Sequence, residues 1–260
     1  MKQCPICFGN QHPCFQETIL RKYRIDYFYC DLCGLLQTED PYWLNEAYKS
    51  AVSSADTGLI QRNILLSKLL SCVLFFLCDR QGKYLDIGGG YGILTRLLRD
   101  VGFDAYWSDP HCENLFAQGF EASAVSAPYD AVTAFEVLEH IHNPLEFVQE
   151  SIKETSTSTI IFSTELFDTS PPKPDSWYYY AFNTGQHISF YQHKTLVYLA
   201  KTLSLSLLSC GSFHILTAQE MSPFFFRLIN SRFIKLLEHY VRKKMTSKTL
   251  MDHEKLIQFM

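Results

Sequence analysis

Asp86-Ile87-Gly88-Gly89-Gly90-Tyr91-Gly92 stands between Lys83–Ile87, an apolar run of strand character, and Tyr91–Asp100, whose apolar residues recur at helical spacing. Glycines at a strand-to-helix junction let the backbone approach a ligand closely and adopt positive φ. In a doubly wound sheet such junctions lie at the carboxyl ends of the strands, where ligands bind. The spacing argues against two common ligands. A dinucleotide fingerprint, G-x-G-x-x-G, fails from each start, because the last position is Ile93 counted from Gly88 and Thr95 counted from Gly90. A phosphate loop needs a Lys after its final glycine, and Ile93 follows Gly92. What remains is an acid followed by alternate glycines: Asp86, Gly88, Gly90, Gly92. Asp109 then falls at the end of the next strand. A carboxylate there can accept hydrogen bonds from both hydroxyls of a ribose. The pattern suits a nucleoside without phosphates whose cationic groups lie near Asp86. The alternative is a structural glycine turn beside two unrelated surface carboxylates.

Working outward, short apolar runs alternate with amphipathic ones from Lys83 to about Thr217. Strands are expected at Lys83–Ile87, Asp104–Ser108, Glu121–Val125, Asp130–Phe135, Ser158–Ser163, Leu205–Ser209 and Phe213–Thr217. Helices are expected at Tyr91–Asp100, Pro144–Glu154 and Gln192–Leu203. This alternation predicts an α/β fold with a mostly parallel sheet covered on both faces. Residues from Pro41 to about Cys78 read as helical. Leu65–Cys78, the most apolar stretch, is too short to span a bilayer and carries Lys68, so it reads as a buried helix. The 260 residues suit one full domain with a small appendage, and 47% hydrophobic with 19% charged residues is the balance of a soluble protein. A net charge of −4 argues against a nucleic-acid backbone as partner.

Nine cysteines, two tight pairs among them, and the lack of a signal-peptide pattern point to a reducing cytoplasm. The pairs are Cys4-x-x-Cys7 and Cys30-x-x-Cys33. Thiolates two residues apart can take two corners of a tetrahedron, and two such pairs close it around zinc. A closed Cys4 site is structural. Residues 1–38 hold too few aliphatic side chains to form a core unaided, and the metal would supply the missing folding energy. Replacement of one ligand by His12 or Cys14, a disulfide pair or unliganded thiols are the alternatives.

Asp86–Gly92, the Asp109 strand end and Asp130–Pro144 (DAVTAFEVLEHIHNP) together resemble class I S-adenosylmethionine-dependent methyltransferases, over roughly residues 45–215. The resemblance implies a doubly wound, Rossmann-like sheet of seven strands, here with an N-terminal zinc-ribbon appendage. It also implies domains at 1–38, 39–220 and 221–260. Asp86, Gly88, Gly89 and Gly90 would lie against the methionine part of the cofactor. Asp109, followed by Pro110, would hold its ribose, and Phe135 and Glu136 would flank its methionine end. Gly89 replaces the Cys or Ala common in the family, a change expected to be tolerated.

Methyl transfer also needs a positioned acceptor and, for most acceptors, a base. Trp177–Tyr191 (WYYYAFNTGQHISFY) offers aromatic side chains and one histidine, His187, as an acceptor pocket with a base; the aromatics could equally be core. His140 and Glu139 read as structural. A Cys4 knuckle ahead of such a domain, with Gln186-His187-Ile188-Ser189-Phe190 behind it, is similar to zinc-containing sugar C-methyltransferases. Gln186 and Phe190 depart from that family's Glu and Tyr, and its large C-terminal domain is missing, which leaves O-methylation of a sugar or glycan equally open. An RNA substrate, gripped by Arg21, Lys22 and Arg24 among aromatics, and a non-catalytic cofactor-binding module are the competing functions. Residues 221–250 carry seven Lys or Arg against Glu238, with Phe224–Phe226 among them. They predict a basic amphipathic helix, packed on the domain or lying peripherally on the inner face of a membrane.

Overall fold

Alternating burial along the N-terminal segment gives it a sheet. The computed structural model describes residues 2–49 and 56–258. Strands β1 (Lys2–Gln3), β2 (Asn10–Ile19), β3 (Tyr23–Tyr29) and β4 (Leu36–Thr38) pair antiparallel in sequence order. Along β3, Ile25, Tyr27 and Tyr29 point inward at the two-residue period of a strand. The helical stretch expected from Pro41 to Cys78 is two helices, α1 (Leu44–Ala47) and α2 (Leu59–Leu77). The part of that expectation covering 50–55 lies outside the described residues. At 19 residues α2 outruns the apolar stretch read from the sequence. By length and composition it is long and apolar enough to cross a membrane, and one third of it is buried within the protein.

The second sheet begins with β5 (Lys83–Ile87), which the glycine turn joins to α3 (Ile93–Val101), followed by β6 (Asp104–Ser108) and β7 (Ala131–Ala134). Both β6 and β7 run parallel to β5. Next come α4 (Pro144–Thr155), β8 (Thr159–Ser163), β9 (Ser189–Phe190), α5 (His193–Thr202), β10 (Ser206–Cys210) and β11 (Phe213–Thr217). The chain ends in α6 (Pro223–Ile229), α7 (Ile234–Lys244) and α8 (Thr249–Ile257). The strand order is β10-β11-β8-β7-β5-β6, and β10 and β11 are antiparallel, so the sheet is mixed.

This sheet has six strands among the described residues, where seven were expected. The missing one is Glu121–Val125, which forms a single 3-10 turn at Ala122–Ala124 and touches β6 through one bridge, Trp107 to Glu121. Ala, Ser and Glu are poor strand formers, and here they yield to a turn.

The chain divides into two compact units. One comprises Met1–Ser53, Phe135–Lys153 and Ile161–Ala218; the other comprises Ser54–Ala134, Glu154–Ile160 and Gln219–Met260. In the first, β4 pairs with β9 through Leu36 opposite Phe190, so the N-terminal strands share their sheet with a segment from late in the chain. Their core gathers Ile25, Tyr27, Trp43, Tyr180, Ile188 and Phe190. In the second, α2 packs against α3, α6 and α7.

Candidate functional site

The glycine turn is shaped by contacts that only glycine permits. Gly88, Gly90 and Gly92 have φ of +66°, +53° and +83°. A Cβ on Gly90 would meet nothing within 4 Å, so the backbone there faces open space that a ligand can fill. A Cβ on Gly89 would lie 2.7 Å from Cδ1 of Trp107 and 3.0 Å from an Asp86 carboxylate oxygen. Trp107 Nε1–H in turn donates to the Gly90 carbonyl at 2.9 Å. The Ala or Cys common at position 89 in the resembled family would therefore clash while Trp107 stays in place, whereas the glycine present here fits. Neither Trp107 nor Asn114, whose Oδ1 would stand 2.8 Å from a Cβ on Gly92, carried a signal in the sequence. Each lines the turn from a distance along the chain.

Asp86 and Asp109 play different parts. Asp86 is buried at the end of β5 and accepts the Thr133 hydroxyl at 2.6 Å. Burial pushes its carboxyl up to about 7, against the smaller opposing pull of that hydrogen bond. Asp109 follows β6 directly and is half-buried. One of its oxygens accepts Gly90 N–H at 2.9 Å; the other accepts His111 N–H at 2.7 Å and Cys112 N–H at 3.0 Å. Its carboxylate is thus fixed beside the turn by three backbone donors. Pro110 is exposed next to it.

Phe135 and Glu136 follow β7. Phe135 is buried and stacks on Phe213, centroids 5.8 Å apart. Glu136 holds a left-handed φ of +55°, which costs a non-glycine residue on the order of 1–3 kcal/mol. Ser163 clamps it twice, accepting its N–H at 2.9 Å and donating to its carboxylate at 2.7 Å.

On the acceptor segment, Tyr179 and Tyr180 are buried in the core, Trp177 packs against it, and Tyr178 is exposed. These aromatics are core, not the walls of an open pocket. His187 Nδ1 lies 2.6 Å from the Tyr179 carbonyl, so Nδ1 carries the proton and Nε2 the lone pair. Burial lowers its pKa to about 4, which keeps it neutral. His140 meets its ring edge-on at 4.9 Å and pairs through Nδ1 with the Gln186 carbonyl at 3.0 Å. Glu139 is fully buried beside them.

The four cysteines of the knuckle converge. Cys4 and Cys33 sulfurs are 3.4 Å apart, as are those of Cys7 and Cys30. Tetrahedral zinc with Zn–S near 2.3 Å would put its thiolates about 3.8 Å apart, so the cluster needs only slight expansion to take the ion. His12 pairs with Asp31 at 2.9 Å instead, and Cys14 is exposed; neither belongs to the cluster. The donor set therefore fits zinc.

Comparison with known proteins places the chain. No curated protein matches it in sequence. Solved structures to which the chain is similar include coclaurine N-methyltransferase bound to N-methylheliamine and SAH (16% identity, 61% of this chain and 53% of that one, TM-score 0.43). An O-methyltransferase family 2 protein from Planctomyces limnophilus in complex with apigenin is similar at 13% identity (68% and 65%, TM-score 0.45). So is the plantazolicin methyltransferase BpumL in complex with SAH, at 12% identity (75% and 89%, TM-score 0.47). The chain spans 53% of the length of the coclaurine enzyme and 65% of that of the O-methyltransferase family 2 protein. The methyltransferase-domain family matches residues 61–209, from α2 through β10, which is more than half of the chain: the protein belongs to the methyltransferase-domain family.

Proposed function

We propose that the protein is an S-adenosylmethionine-dependent methyltransferase acting on a small polar acceptor, a sugar or glycan intermediate, in the cytoplasm. The observation that carries the cofactor is the turn at Gly88–Gly92. Its backbone opens over Gly90, a fixed carboxylate stands beside it at Asp109, and a buried carboxyl stands beneath it at Asp86. Asp109 would accept the ribose hydroxyls, with Pro110 beside it. Asp86 and Gly88–Gly90 would lie against the methionine part. A buried carboxyl held near 7 gains from a cationic neighbour, and the sulfonium and ammonium of the cofactor are such neighbours. Phe135 and Glu136 would flank its methionine end; the strained backbone of Glu136 is the kind of cost that functional sites carry.

The cofactor supplies an electrophilic methyl on sulfur. His187 would take the acceptor's proton at Nε2, whose lone pair is left free because Nδ1–H donates to the Tyr179 carbonyl. Cys4, Cys7, Cys30 and Cys33 would hold a structural zinc under the 1–38 segment, with the catalytic domain over 39–220 and a basic tail beyond. The acceptor reading rests on the likeness of the knuckle and His187–Ser189 to sugar C-methyltransferases.

Isothermal titration with S-adenosylmethionine and its demethylated product tests the first half. Saturable one-to-one binding of both is expected, and binding of neither would make the chain a module of another kind. Transfer of labelled methyl to a panel of nucleotide-linked sugars, with RNA as the competitor substrate, tests the second.

A further inference from the structure

The second unit carries a surface that is apolar and basic together. Helices packed in a layer bury one face and turn a polar one outward. Here the outward faces of α6 and α7 are aromatic and basic together. Along α7, Phe233, Leu236, Tyr240 and Lys244 recur at helical spacing and share one side, all exposed. On α6, Phe224 and Phe225 are exposed and in contact, their centroids 5.9 Å apart. Phe76 of α2 joins the two helices, stacking on Phe225 at 6.2 Å and on Tyr240 at 6.1 Å. The patch is therefore continuous. Exposed apolar patches of this kind, rimmed by polar groups, mark interaction sites.

Charge names the partner. Arg227, Arg232, Lys235, Arg242, Lys243 and Lys244 are all exposed on or between these helices. The one acid among them, Glu238, is mostly covered and paired with Arg242. A cationic cavity of about 580 Å³ adjoins the patch, lined by Arg80, Lys244 and Lys248, with Asp104 its one acid. Aromatic contacts connect the two: Lys244 lies 5.7 Å from the Tyr240 ring and Arg80 5.5 Å from the Phe75 ring, and those rings are 6.0 Å apart. A second copy of the chain docked by this same patch would bring these cations face to face, which opposes pairing. A bilayer of anionic phospholipid complements both halves of the surface: apolar groups enter the acyl boundary while Lys and Arg meet phosphate.

We propose that the α6–α7 face docks the protein on an anionic phospholipid bilayer, with the Arg80–Lys244–Lys248 cavity taking a phosphate-bearing headgroup. The docking is peripheral, since α2 keeps Leu70, Cys72, Val73 and Leu74 fully buried inside its unit. The proposal is independent of the methyl-transfer reading.

Sedimentation of the full-length, zinc-loaded protein with vesicles tests it. Vesicles of phosphatidylcholine with one third phosphatidylglycerol should capture the protein at low salt and release it at high salt, while pure phosphatidylcholine should not capture it. Each lysine near such a surface is worth about fivefold in affinity, so K243E/K244E should weaken capture more than about twentyfold. F224A/L236A, at exposed positions, should weaken it about tenfold with an unchanged melting temperature. Alkaline carbonate should strip the bound protein. Equal capture by both vesicle types, no capture, unaltered capture of either variant, or resistance to carbonate would each overturn the proposal. So would a concentration-dependent dimer that F224A/L236A abolishes.

Discussion

Asp86 ties stability to pH through a single buried carboxyl. Its pKa in the folded protein, about 7, lies above the ordinary 3.8 because burial penalises the charge. Between those values the folded state holds a proton that the unfolded state has lost. The contribution to stability is therefore full below about pH 4 and is lost as pH rises through 7. At pH 8 the ionised group costs on the order of 4 kcal/mol. Asp86→Asn keeps an oxygen for the Thr133 hydroxyl and removes the charge. It is expected to melt several degrees above the parent at pH 8, with a gap that narrows steadily toward pH 5, while binding S-adenosylmethionine more weakly. A gap independent of pH in thermal denaturation would mean that the carboxyl is not held near 7. The roles proposed for Asp109 and His187 can be separated by substitution. Asp109→Ala is expected to lose about 1–3 kcal/mol of cofactor affinity by calorimetry, for charged hydrogen bonds withdrawn. His187→Ala should leave that affinity unchanged and depress turnover. If the two variants behaved alike, the division of labour between them would be wrong.

The turn joining β5 to α3 makes its own prediction. Gly89 is not among the positive-φ glycines, so its constraint is steric: Trp107 occupies the place of a Cβ. Gly89→Ala should destabilise the protein by about 1–3 kcal/mol, the usual cost of overpacking. Trp107→Leu introduced with it should recover part of that loss. A double-mutant cycle in denaturant measures the coupling, and purely additive effects would show that the two residues do not contend for one space. This turn and the strands at 83–87, 104–108 and 213–217 were legible because apolar runs bounded by Gly and Asp carry a local signal. Glu121–Val125 was misread as a strand because its place in the alternation suggested one, although its composition favours a turn. Trp177–Tyr180 was ambiguous for a different reason: an aromatic run looks the same whether it lines a pocket or fills a core. Their packing against Tyr27 and Phe190 decides for the core. The pairing of β4 with the two-residue β9 was invisible, since so short a strand has no period. The Trp107 contact was equally hidden, because it joins residues that only the parallel register of β5 and β6 brings together.

At the scale of the whole molecule, the site residues divide between the two units. The cysteine cluster, Phe135, Glu136 and His187 belong to one; Asp86, the glycine turn and Asp109 belong to the other. In the first unit the β1–β4 strands and β9 form one sheet, and Gly185, close to His187 in the chain, accepts the Trp43 indole N–H at 2.8 Å. Loosening of the N-terminal strands should therefore reach the segment that carries His187. Zinc held by four thiolates contributes directly to folding where a small segment lacks apolar mass. If the four thiolates hold zinc as proposed, a strong chelator, or Cys7→Ser, should release amide exchange across residues 2–38 and 185–190 and abolish the proposed methyl transfer. The β5–β7 strands should stay protected, and S-adenosylhomocysteine should bind with little change in affinity, because Asp86, the glycine turn and Asp109 belong to the other unit and Phe135 and Glu136 lie outside the released segments. Hydrogen exchange and calorimetry on the same metal-stripped sample read both halves of this expectation. Loss of cofactor binding in step with the N-terminal amides would mean that the two units melt as one.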